Sequence, residues 1–285
     1  APTTVAFADL DLCEPSLRAL REVKGFEFAT AVQDQTLVPI LKGKDCLARA
    51  KTGSGKTIGF LLPAIETLMR LEEDGVDIRE GDVSVLVLSP TRELATQIHE
   101  ETVQLLSFND RFGAHVVFGG TKFDNDIRTL RRKRCDILIA TPGRFIQHLK
   151  DGDMAQRLRG CRMLVLDEAD RLLDMGFKPD IERILKYVPP KRQTLLFSAT
   201  VSDEIKQIAS KSLNEGHVYV DCVGEDDSST ATNPQVRQSA AIVPVRHQMA
   251  ALKQLIDDHC ASQPNHKIMC FFTTARSTAL AAECF

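Results

Sequence analysis

The chain is short of several things. No uninterrupted apolar run approaches the roughly 18 residues of a membrane span, so no spanning helix is expected. None of the eight cysteines (13, 46, 135, 161, 222, 260, 270, 284) forms a C-x-x-C pair, and the seven histidines show no metal-ligand spacing with them. A disulfide frame and a zinc site are therefore not expected, and the thiols read as reduced groups of an intracellular protein. Excess positive charge is missing too. The formal net charge is −3, so any nucleic-acid binding has to be local. No internal repeat or long low-complexity segment is present. The chain starts at Ala1, not Met, so a trimmed start is expected.

What remains is 285 residues, 43% apolar and 26% charged, an ordinary composition for one large or two smaller globular units. Short apolar runs alternate with amphipathic stretches. The expected strands are Val83 to Leu88, Ala114 to Phe118, Asp136 to Ala140, Met163 to Leu166, Thr194 to Phe197 and Val218 to Val220. Helices are expected between them, over Glu93 to Leu106, Asp124 to Lys133, Phe145 to Lys150, Asp180 to Tyr187 and Asp203 to Ser212. This pattern predicts an α/β fold, a parallel sheet covered by helices on both faces. The acidic, small-residue stretch from Gly224 to Pro234 reads as part of a linker over 223–235. It separates a unit of 1–222 from the start of another, 236–285. The latter is expected to carry strands at Val236 to Val243 and Lys267 to Phe272 and helices at Arg246 to Cys260 and Ala275 to Cys284. About fifty residues do not complete a typical domain.

The segment Ala50-Lys51-Thr52-Gly53-Ser54-Gly55-Lys56-Thr57 follows an apolar run and precedes an apolar periodic one, which is strand, glycine-rich turn, helix. Backbone N–H groups in such a turn converge on an anion, helped by the helix N-terminus. Gly53 and Gly55 permit close approach, Lys56 can reach β and γ phosphates, and Thr57 offers Mg²⁺ a hydroxyl. The pattern departs from G-x-x-x-x-G-K-[ST] at Ala50. Leu164-Val165-Leu166 then delivers Asp167-Glu168-Ala169-Asp170. By itself this could be an acidic helix cap. With Lys56 and Thr57 upstream in the same sheet, Asp167 reads as an Mg²⁺ ligand through water and Glu168 as the group that orients or deprotonates an attacking water.

Asp167 to Asp170, D-E-A-D, resembles the signature of the DEAD-box RNA helicases, and other stretches are similar to that family's motifs in the same order. Phe7, Gly25-Phe26 and Thr30 to Gln33 resemble its adenine-reading motif, and the Ala50 variant of the phosphate loop is the family's own. Pro90-Thr91-Arg92-Glu93, Gly119-Gly120 and Thr141-Pro142-Gly143-Arg144 resemble its RNA-facing motifs. Ser198-Ala199-Thr200 resembles its coupling motif, and Ile268 to Thr274 the first motif of its second RecA-like domain. The resemblance implies a RecA-like P-loop domain followed by an incomplete second one, and ATP and Mg²⁺ as cofactors. Gln33 would select adenine, with Phe26 stacking on the base and Phe7 supporting it. Arg92 and Arg144 would each add a cation to an RNA-backbone grip of little sequence preference, joined by Thr274. Ser198 and Thr200 would bond Asp170. The family usually has Pro where this chain has Ala29, which implies a looser turn before Thr30. The run Arg131 to Arg134 reads as a solvated helix end before a buried strand, with a localisation signal or an extra RNA contact as the alternatives.

These features predict an ATP-dependent RNA helicase, monomeric and not membrane-bound, acting in the nucleus, nucleolus or cytoplasm, with the mitochondrion as the alternative. Catalysis would rest on Lys56, Asp167 and Glu168. The family's late arginines lie beyond Phe285, so this stretch alone is expected to bind nucleotide and turn it over poorly. The competing readings are an ATP-dependent RNA clamp, a P-loop enzyme acting without RNA, and a DNA helicase of a related superfamily.

Overall fold

The computed structural model describes residues 2–76, 81–223, 237 and 239–285. It forms two compact units, Ala1–Asp227 and Ser228–Phe285.

In the first unit, β1 (Pro2–Ala6) pairs antiparallel with β2 (Phe28–Thr30). The main sheet contains β3 (Cys46–Arg49), β4 (Val85–Leu88), β5 (Ala114–Val117), β6 (Ile137–Ala140), β7 (Met163–Leu166), β8 (Gln193–Ser198) and β9 (Val218–Asp221). Its order is β5-β6-β4-β7-β8-β3-β9, and every pairing is parallel. The helices are α1 (Glu14–Arg18), α2 (Ala31–Leu41), α3 (Lys56–Glu73), α4 (Arg92–Leu105), α5 (Phe123–Arg132), α6 (Pro142–Asp151), α7 (Met154–Arg157), α8 (Ala169–Asp174), α9 (Lys178–Ile184) and α10 (Asp203–Ser212).

Alternation along the strands divides the core in two. Val85, Val87, Ile137, Ile139, Val165 and Phe197 join the side chains of α2, α3 and α4. Leu86, Leu88, Leu138, Leu164, Leu166 and Leu196 join those of α6, α9 and α10. Both faces are covered, so β4, β6 and β7 are buried at every residue, which is why they read as unbroken apolar runs. Register then sets the site. Leu88 lies beside Ala140 and Leu166, and Arg49 beside Ser198, so the loops after these strands emerge at one edge.

Three expectations need correction. The segment before Thr30 is not a loose turn. It is β2, held by β1 and by the Thr3 hydroxyl donating to the Ala29 carbonyl at 3.0 Å. In the second unit, α11 (Gln248–Ser262) and α12 (Ala275–Cys284) form, but no strand is present at 267–272 or at the described residues of 236–243. A strand exists by pairing, and two short parallel segments give each other too few partners. Ile242, Met269 and Phe271 stay exposed. The linker at 223–235 lies outside the described residues except for Val223. Among the described residues no helix is long and apolar enough to cross a membrane.

Candidate nucleotide-binding site

The loop after β3 keeps in register with its neighbour for one more residue, Ala50 N–H donating to the Ser198 carbonyl at 2.9 Å, and then turns. Gly53 (φ 74°) and Gly55 (φ 94°) supply the left-handed backbone. At Gly55 a side chain is also blocked: a Cβ would stand 2.6 Å from Gln33 Nε2 and 3.0 Å from Thr30 Oγ1. Lys56 is the first residue of α3. Its buried side chain folds back over the loop, and Nζ donates to the Ala50 carbonyl at 3.1 Å.

Around this loop lies a cavity of about 490 Å³, a volume suited to a small molecule. Residues 52–57, Thr30, Gln33, Phe26, Asp167 and Glu168 line it as expected from the sequence. Three expected residues sit elsewhere. Phe7 is buried in the core, its N–H donating to the Glu27 carbonyl, so it holds β1 and β2 in place and does not reach the cavity. Ala50 lies behind the loop, and Lys51, whose carbonyl accepts the Ser54 hydroxyl at 2.8 Å, is not part of the cavity lining. Conversely, Phe28, Leu94, Gln97 and Glu101 line the cavity unforeseen. Phe28 was findable, because residues i and i+2 of a strand share a face and Phe26 leads into β2.

The Gln33 amide ties two parts of the site together. Its Oε1 accepts the Thr30 N–H at 2.8 Å and its Nε2 donates to the Gly55 carbonyl at 2.9 Å. One lone pair and one N–H remain, the complement of an adenine edge. The first of the two bonds ties the N-cap Thr30 to the third residue of α2, while the buried Thr30 hydroxyl has no hydrogen-bond partner.

Asp167 follows β7, with its N–H on the Leu88 carbonyl at 3.0 Å. Burial pushes its carboxyl up to about 6, against the pull of Lys56 and with the push of Glu168. Its Oδ1 is buried without a partner. That orphan oxygen, in a cavity that Thr57 also lines, suits a hard cation that keeps most of its water. Among the described residues no group of three or more His, Cys, Asp or Glu could form an all-protein cage. Glu168 is the only described non-glycine residue at positive φ (45°), and its Oε2 takes Arg171 Nη1 at 2.6 Å. Asp170 Oδ2 accepts the Ala199 N–H at 3.1 Å, and Asp170 N–H donates to the Ser198 hydroxyl at 3.3 Å. Ser198 thus meets Asp170 as expected. The Thr200 side chain is exposed and makes no contact with it.

A second, more open cavity of about 750 Å³ gathers Pro90 to Glu93, Gly119 to Thr121, Thr141, Gly143 and Arg144. Helices α4 and α6 point their N-termini into it, Thr91 Oγ1 accepting the Leu94 N–H at 3.2 Å. Gly120 (φ 92°) lets the exposed Arg92 guanidinium lie against the loop, where a Cβ would come 2.7 Å from Arg92 Cζ. Pro142 is buried behind the α6 terminus. Arg144 is not a free cation as expected. It is buried, with Nε on the Phe118 carbonyl at 3.0 Å and Nη2 on the carbonyl and hydroxyl of Thr121, and it holds the 118–121 loop. Met175 and Phe177 line this groove unforeseen. Thr274 belongs to the second unit, where its hydroxyl accepts the Ser277 N–H at 3.1 Å and caps α12.

The sheet, the glycine-rich turn and the acid pair define a phosphate-loop nucleotide-binding fold of the RecA-like kind. Residues 30–208 match the family model described as DEAD/DEAH box helicase, and the chain belongs to that family. It is 45% identical over 276 residues to DEAD-box ATP-dependent RNA helicase 31 of Oryza sativa subsp. japonica, covering 96% of this chain and 50% of that protein. With DEAD-box ATP-dependent RNA helicase 26 of Arabidopsis thaliana it shares 45% identity, over 97% of this chain and 32% of that one. The chain thus spans about half the length, or less, of these curated relatives. Among solved structures it resembles Mss116p bound to ssRNA and AMP-PNP (TM-score 0.85, 29% identity, 99% of this chain and 58% of that one). It also resembles a DEAD box protein from the hyperthermophile Methanococcus jannaschii (TM-score 0.66, 29% identity, 98% and 69%).

Proposed function

We propose that the chain is the nucleotide-binding part of an ATP-dependent RNA helicase, in which ATP binding and hydrolysis drive local RNA strand separation. One observation carries the reading: α4 serves both cavities. Thr91, Arg92 and Glu93 at its N-terminus line the groove, and Leu94, Gln97 and Glu101 on its next turns line the nucleotide cavity. A shift of α4 caused by a nucleotide is therefore felt in the groove, and the converse holds by linkage. The relatives named as ATP-dependent RNA helicases and the neighbour bound to ssRNA and AMP-PNP support the identity of the two ligands.

Asp167 and Thr57 would hold Mg²⁺, which supplies charge neutralisation on the phosphate oxygens. Lys56 would leave the Ala50 carbonyl to pair with a terminal phosphate. Glu168 would take a proton from the attacking water at a carboxylate oxygen once Arg171 releases it. Asp170 would pass the change to the Ser198-Ala199 segment. The groove would grip RNA through two helix N-termini and Arg92, which explains how an acidic chain binds a polyanion. A monomer without a membrane partner is part of this reading. The test is ATPase of the full-length protein with and without RNA. Lys56→Ala and Glu168→Gln should each abolish RNA-stimulated turnover, and retained stimulation in either variant overturns the assignment.

A further inference from the structure

The densest run of positive charge lies outside both cavities. Residues 122–134 hold six basic side chains and two carboxylates, a net +4 in a chain of net −3. Helix α5 sorts them by face. Asp126 points inward, where its Oδ2 takes Arg144 Nε and His148 Nε2, each at 3.4 Å, and Phe123 packs its ring on His148 at 4.6 Å between centroids. These contacts clamp α5 onto α6. On the other face Arg128, Arg131 and Arg132 are exposed and line a shallow cleft of about 340 Å³ with Asp124 and Ile127.

None of these three arginines has a hydrogen bond or ion pair among the described residues. Three helical cations elsewhere each have an acid one turn away, in Arg18–Glu22, Arg157–Asp153 and Lys253–Asp257. Three exposed guanidiniums on one face repel one another modestly, Asp153 offsets part of this at Arg131, and an outside anion on this face relieves the rest. Its position suggests which one. Helix α5 begins where the Gly119–Thr121 wall of the groove ends, and Arg128 to Arg132 lie about 9 to 15 Å further along its axis than Lys122.

We propose that the Arg128, Arg131 and Arg132 face is a second, sequence-independent contact for the RNA backbone, taking phosphates of the strand that leaves the groove past Gly120 and Thr121. Guanidiniums bind phosphate oxygens two at a time, and three at i, i+3 and i+4 spacing offer a row of forks without reading bases. The inference rests on the reading of the groove as an RNA site. It adds a longer footprint, with affinity that grows with RNA length.

The test compares binding of the chain to an oligo(U) of about six nucleotides, enough for the groove, and one of about twenty, across a salt series. The variant is Arg128→Gln/Arg131→Gln/Arg132→Gln. Its matched control, Arg183→Gln/Lys186→Gln/Lys191→Gln, removes equal charge elsewhere. The variant should weaken the long RNA roughly tenfold and lower its salt slope by about 2, as three lost phosphate contacts predict. It should leave binding of the short RNA unchanged without lowering the melting temperature, and the control should neither weaken the long RNA nor lower its salt slope. Equal loss on both lengths, no loss on the long RNA, or equal loss in the control overturns the second contact and leaves the groove standing. So does unchanged RNA affinity with lost binding to an acidic protein or anionic vesicle. If the wild-type chain holds neither RNA at low salt, the reading of the groove falls, and the second contact with it.

Discussion

Replacing Gln33 tests the nucleotide site where it is most tightly wired. Gln33 is 3% exposed, and its amide satisfies the Thr30 N–H and the Gly55 carbonyl. Gln33→Ala removes two hydrogen bonds worth about 1 kcal/mol each and about 0.8 kcal/mol of buried methylene. Water entering the space recovers part of this, so a loss of roughly 2 kcal/mol is expected. For a unit of this size that lowers the melting temperature by about 4 to 8 °C. Gln33→Glu separates the two bonds. Its carboxylate still accepts from Thr30, but its other oxygen faces the Gly55 carbonyl and repels it. The glutamate variant should bind ATP at least as poorly as the alanine variant, because the damage falls on the loop. Thermal unfolding and titration with a fluorescent ATP analogue read both effects. Wild-type ATP affinity in Gln33→Glu at pH 7.5, or an alanine variant as stable as wild type, would refute the wiring.

Three further outcomes follow from the geometry. Burial pushes His115 down to about 4, so the folded state holds it neutral while the unfolded chain protonates near 6.5. Stability from this residue is full above pH 6.5 and is lost as pH falls toward 4. The loss is roughly 2 kcal/mol after discounting for partial exposure, and His115→Gln should flatten that limb in urea unfolding. Gly120→Ala places a Cβ against the Arg92 guanidinium at positive φ. It should cost about 1 kcal/mol and weaken RNA binding severalfold with ATP affinity unchanged, as filter binding against both ligands can check. Asp167→Asn removes the buried orphan carboxylate. Chelating Mg²⁺ should weaken nucleotide binding in wild type and make no difference in the variant, which calorimetry with and without chelator would measure.

The strands of the main sheet were legible to within two residues because a parallel sheet buried on both faces leaves its signature along the strand, as in Val85 to Leu88 and Met163 to Leu166, whereas β1 and β2, a short antiparallel pair at its side, went unread. The same signature misleads at Lys267 to Phe272, where composition favours a strand but no neighbouring edge supplies hydrogen bonds. The site divides along a similar line. Residue types and spacing locate the glycine-rich turn, Lys56 and Asp167, since these follow their strands directly. What they leave open is which donors are already spent. Arg144 looks like a cation for a phosphate until the fold brings the carbonyls of Phe118 and Thr121, more than twenty residues away in the chain, onto its fork. Phe7 looks like part of the nucleotide site, a support for Phe26, until the chain after β1 places it in the core. Arg128, Arg131 and Arg132 reverse the case. The run from Arg131 reads as an ordinary solvated helix end, and only the inward turn of Asp126, which spends its carboxylate on Arg144 and His148, shows that Arg128, Arg131 and Arg132 share one exposed face without an ion pair. A polar side chain is available for function only when the fold has left it unsatisfied, and that is a property of long-range contacts which spacing along the chain does not encode.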